Sequence, residues 1–261
     1  MNFKKVAGFV GLMASSVLAV STSQAQAFDL NSGSNVGTCA PLTGGYHTGA
    51  YGQVLSNATA GSCATNDGFT LTANNGSVLQ GKTVGGIKGV GITTNPSDPL
   101  TDTLGEIDNS EALTLTHATG GIFHYIDLSF LYQPGVYADE VFEVASIVAN
   151  DGTMGILRVT GNSTAEWLVG GVVQAVTALS NSVEGAGGRY RVFNPFGDKS
   201  LTSLTLTAVQ QAGIPANYQN SDYSLVGAQL KSVPEPTTLA GLGIVGGLLV
   251  ASRRRRAKGT P

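Results

Sequence analysis

Short runs in which every second residue is apolar constrain this chain more than any other feature. In residues 69–73 Phe69 and Leu71 share one face, and Asn74–Gly76 follows as a turn. Leu113 and Leu115 alternate with Thr114 and Thr116, and Ile126, Leu128 and Phe130 with Asp127 and Ser129. A period of two puts successive side chains on opposite faces of a strand, whereas a helix face needs a period near 3.6. Threonine suits the pattern, since its branched Cβ fits a pleated strand and its hydroxyl keeps the outer face hydrated. Residues 139–149 run into Asn150-Asp151-Gly152, a strong hairpin turn, and 154–161 return. Residues 189–196, 200–209 and 223–230 add further strands, and no repeat of fixed period is visible. Residues 166–180 are long enough for a helix but rich in valine, which leaves a helix and a pair of strands both open. The pattern predicts an all-β chain, an antiparallel β-sandwich, with a jelly-roll-like variant as the alternative.

The two ends follow other rules. Lys4 and Lys5 precede an uncharged apolar run that closes on Ala25-Gln26-Ala27, the three-part pattern of a secretory signal peptide over 1–27, cut after Ala27. At the other end Pro234-Glu235-Pro236 leads into the apolar run 237–252 and then Arg253, Arg254, Arg255 and Arg256. Sixteen helical residues span about 24 Å, a thin crossing, and four glycines weaken it further. Four guanidiniums do not cross hydrocarbon cheaply, so the arginines stay on the cytoplasmic side of an inner-membrane span while the body is exported. Gly241, Gly243 and Gly246 spell the dinucleotide fingerprint, but without a strand–turn–helix context they imply no nucleotide. Gly243 and Gly247 spell the spacing at which membrane helices pack closely.

This three-part tail resembles the PEP-CTERM sorting signal of bacterial exosortase substrates over residues 234–261. The resemblance implies that an exosortase processes the tail near Pro234-Glu235-Pro236 and releases the body to the cell surface or an exopolysaccharide matrix. The alternative is a plain membrane anchor. Residues Gly89, Gly91, Ile92, Glu106, Ile107, Asp108, Glu111, Leu113 and Leu115 also resemble a run found in such surface proteins, which implies a surface β-domain and no established activity.

Between the ends, residues 28–233 hold seven lysines and arginines against sixteen acids, a net charge of −9 where the whole chain carries −3. So acidic a body repels phosphate backbones, which argues against nucleic acid as a partner. Ten acids and no lysine or arginine lie from Asp98 to Asp151. Such a concentration would be relieved by Ca²⁺, with Glu106, Asp108 and Glu111 as first-choice ligands and Asp139 and Glu140 as contributors. Solvated acidic faces that keep a secreted protein soluble are the plainer reading, and no EF-hand spacing is present. Cys39 and Cys63 are the two cysteines. In an oxidising compartment they most simply form one disulfide; two free thiols are the alternative.

Catalytic patterns are sparse. His47, His117 and His124 are scattered without a zinc-protease spacing, and the serine of residues 161–165 lacks the final glycine of a nucleophile elbow. Three functions compete: a non-catalytic surface or matrix protein, a calcium-assisted carbohydrate-binding module using Tyr125, Tyr132, Tyr137 or Trp167, and a hydrolase with two converging carboxylates. The sequence favours the first.

Overall fold

A computed structural model describes residues 25–231 except 46, 49–52, 59, 75, 95–103, 109 and 216–218. The segment 1–24, the apolar run 237–252 and the arginine cluster lie outside the described residues. Residues 25–231 form one compact unit.

Strands dominate it. The chain opens with β1 (Ala27–Asp29), a 3₁₀ turn (Gly37–Thr43), β2 (His47–Thr48), β3 (Val54–Leu55) and β4 (Ser62–Ala64). Then come β5 (Phe69–Ala73), β6 (Val78–Val84), β7 (Ile87–Thr93) and the 17-residue β8 (Leu113–Ser129). The second half adds β9 (Val144–Ala149), β10 (Met154–Gly161), β11 (Thr164–Val169), β12 (Val172–Ala175) and β13 (Thr177–Ala178). It ends with β14 (Tyr190–Phe193), β15 (Ser200–Ala208) and β16 (Ser224–Leu230). These strands join in one large antiparallel sheet, ordered β12-β11-β10-β9-β15-β8-β16-β7-β6-β3-β2, with the remaining strands attached at its sides. The chain is all-β. Among the described residues no helix is long and apolar enough to cross a membrane.

The alternation read from the sequence is visible in burial. Leu113 and Leu115 are buried while Thr114 and Thr116 are partly exposed, and in β5 Phe69 and Leu71 point inward. The region left open between helix and strands is a hairpin. Gly170 and Gly171, with φ of 58° and 78°, make a two-residue turn that β-branched residues would resist. Asn150–Thr153 closes the β9–β10 hairpin, with Asp151 Oδ1 accepting from the Thr153 N–H at 2.9 Å.

Strand β8 is the spine. Its first part, Leu113–His117, pairs with β5 and β15, and its last part, Tyr125–Ser129, pairs with β14 and β16. Between them the register against β15 shifts, near Gly120 at φ 65°. One core cluster holds residues from both parts, among them Leu115, Phe123, Leu128, Trp167 and Phe28. Strand β1 lies against β16, and the Leu230 N–H donates to the Gln26 carbonyl at 2.8 Å. The described strand therefore starts just ahead of the predicted cut after Ala27. Cys39 and Cys63 form a disulfide between the 3₁₀ turn and β4.

Candidate functional site: a buried carboxyl cluster

Lys82 sits in the middle of β6 with its side chain 4% exposed. A lysine ammonium so deep in a protein needs an anion, and Glu106 supplies it: Nζ donates to Glu106 Oε2 at 2.5 Å. Glu106 arrives on residues 104–108, which wedge between β7 and the approach to β16. The Ile92 N–H donates to the Glu106 carbonyl and the Ile107 N–H to the Tyr223 carbonyl. The wedge fits because residue 91 is glycine. A Cβ there would sit 2.3 Å from Glu106 backbone atoms.

Other acids converge on the same place. Asp222, just ahead of β16, is buried and hydrogen-bonds Glu106. Asp139 and Glu143 come from the connection between β8 and β9; both are buried, and Glu143 Oε2 accepts from the Tyr132 N–H. Asp108 adds its charge to Glu106 and Asp222. One cation thus faces five buried acids, with the Phe130 ring 5.6 Å from Lys82 Nζ.

Electrostatics follow from that imbalance. Burial works against the Lys82 charge, but Glu106, Asp222 and Asp139 more than restore it and lift its pKa above the usual lysine range. Burial raises Glu106, and Lys82 pulls it back. Asp139 is pushed up to about 8 by burial and by Glu106. Glu143 and Asp222 rise well above the ordinary carboxyl range through burial and then the neighbouring acids.

The acids proposed from sequence as calcium ligands divide. Glu106, Asp108 and Asp139 belong to this cluster. Glu111 is engaged locally, Oε1 accepting from Thr94 Oγ1 at 2.8 Å and Oε2 from the Asp108 N–H at 3.1 Å. Glu140 is exposed and accepts from Gln219 Nε2 at 2.7 Å. Among the described residues no group of three or more His, Cys, Asp or Glu is arranged to hold a metal ion. Lys82 explains part of this, since its ammonium occupies the place beside Glu106 that a cation would take.

Sequence reading passed over Lys82 and Asp222. Nothing local marks them, because Lys82 follows Gln80-Gly81 in a stretch of ordinary polarity and Asp222 lies far along the chain from the acid-rich run.

A second ionic group binds β8 to β14. Arg191 grips Asp127 through Nε to Oδ1 and Nη2 to Oδ2, both at 2.6 Å, and Arg189 Nη2 reaches Asp127 Oδ2 at 2.5 Å and Asp29 Oδ2 at 3.3 Å. The Arg191 guanidinium lies 3.8 Å from the Tyr125 ring centroid, and the exposed Phe193 and His124 flank it.

The remaining candidates are dispersed. Trp167 is fully buried, its Nε1–H donating to the Pro195 carbonyl, and Tyr132 is buried as well. His117 packs against Phe69, whereas His124 is on the surface. No protein family, curated protein or solved structure matches this chain.

Proposed function

We propose that this chain is an exported, non-catalytic protein of the cell surface or extracellular matrix, processed by an exosortase that removes the segment following Pro234-Glu235-Pro236. One observation carries the reading. The compact β unit closes at Lys231, with β16 ending at Leu230, three residues short of Pro234. A cut near Pro234 therefore takes no strand from the described fold. The Cys39–Cys63 disulfide adds support, because such bridges persist in oxidising compartments. Within this reading the sheet doubles back where β8 changes partners, so that its two parts enclose the shared core as a β-sandwich. Mass spectrometry of the protein from its native host tests the proposal. A mature species lacking the N-terminal segment and Arg253–Arg256 is expected; recovery of the intact tail would overturn it.

Glycan binding is the second reading, favoured by the platform of Tyr125, Arg191 and Phe193 on the outer surface. The exposed Phe193 ring offers an apolar face to a pyranose, with the Arg191 guanidinium stacked on Tyr125 beside it. Phe193→Ala should then weaken retention on the host's exopolysaccharide, and unchanged retention would count against it.

A further inference from the structure

Four segments remote in sequence meet at the carboxyl cluster, and each brings its own charge. Strand β6 brings Lys82; residues 104–108 bring Glu106 and Asp108; the β8–β9 connection brings Asp139 and Glu143; the approach to β16 brings Asp222. The phenol of Tyr132 faces it from the β8–β9 connection, with the Tyr137 ring packed edge-on against Tyr132, and Tyr190 faces Glu143 from β14. A single ammonium can balance a single carboxylate. Every further ionised acid in the cluster would be a buried charge without a counter-ion, which is among the costliest arrangements in a protein.

Two structural details bear on how the excess is met. Asp139 Oδ2, Glu143 Oε1 and the Tyr132 hydroxyl are buried without a hydrogen-bond partner among the described residues. A neutral carboxyl tolerates that far better than a carboxylate. The connection carrying Asp139 and Glu143 also contains three non-glycine residues in the left-handed region, Phe130 at φ 62°, Tyr137 at 52° and Ala138 at 77°. Backbone in such a state persists only where its surroundings hold it.

We propose that this cluster is a proton-loaded clamp, which fastens residues 104–108, the β8–β9 connection and the start of β16 together while its carboxyls are protonated and loosens them when those carboxyls ionise. The direction follows from linkage. A carboxyl whose pKa is higher folded than unfolded contributes stability that is complete below its unfolded value and is lost as pH rises through its folded value. For Asp139 that window runs from the ordinary 3.8 to about 8, and Glu143 and Asp222 shift the same way. The domain is therefore tightest in mild acid and loosens toward alkaline pH.

Urea unfolding of the full chain in mild detergent, followed by the fluorescence of the buried Trp167, tests the clamp. Between about pH 5 and about pH 8 the unfolding constant should rise by about tenfold per pH unit for each proton the fold retains. Asp139→Asn and Glu143→Gln should each flatten that rise, and the surface change Asp151→Asn should leave it as it is. A wild-type unfolding constant that stays flat or falls with pH would overturn the proposal whether or not the buried variants fold, and so would amide variants with the wild-type slope.

Discussion

The two buried ionic groups of this domain use opposite stoichiometries. Around Asp127 two guanidiniums meet two carboxylates, and the hydrogen bonds are directional and largely complete. Around Lys82 one ammonium meets an excess of acids. Each is anchored on a strand of the same sheet, at Lys82 in β6 and Asp127 in β8, and both tie distant segments together, so burial alone does not set their behaviour. The difference lies in what can be neutralised. An arginine keeps its proton at any ordinary pH, so the Asp127 group cannot shed an unbalanced charge. A carboxyl can take up a proton, so the Lys82 group adapts to its own imbalance and makes the fold answer to pH.

Removing the anion of the balanced group should have the largest effect. Asp127→Ala strands Arg189 and Arg191 and is expected to cost about 3 kcal/mol, in line with breaking a buried pair, at mild acid and alkaline pH alike; chemical denaturation at the two pH values checks it. Next comes reduction of the Cys39–Cys63 bridge, whose ends are 24 residues apart, with an expected loss of about 3 kcal/mol or somewhat less. That loss should be the same at both pH values, which makes it a reference for the other variants. Lys82→Met should behave differently from Asp127→Ala. The orphaned Glu106 can protonate, so the loss should be small in mild acid and grow with pH; an equal loss at both would erase the contrast between the groups. The smallest effect should come from the solvent-exposed pair Lys199–Asp151, 2.8 Å apart. Lys199→Ala should shift the denaturation midpoint least of these variants, and less again in high salt.

The strands were legible because their cues are local. Leucine–threonine alternation marked β5 and the start of β8, and Asn150-Asp151-Gly152 marked a hairpin. The Gly170-Gly171 turn settled a segment whose length had allowed a helix. What the sequence could not convey was long-range pairing. That β1 would lie on β16, or that one strand of 17 residues would serve both parts of the sheet, depends on contacts with no local signature. The acidic run was equally visible, and four of its members, Glu106, Asp108, Asp139 and Glu143, do cluster. Its chemistry was not, because a lysine in β6 and an aspartate beside β16 determine it from outside the run. Lys82 converts what read as a cation-seeking patch into one already holding a cation.

Infrared spectroscopy of the full chain in detergent at about pH 7, where free carboxyls are ionised, tests the central claim most directly. Protonated carboxyls in the Lys82 cluster should give a carbonyl stretch distinct from the carboxylate bands, diminished in Asp139→Asn and Glu143→Gln and lost on unfolding. Absence of that band in the folded wild-type protein would contradict the account.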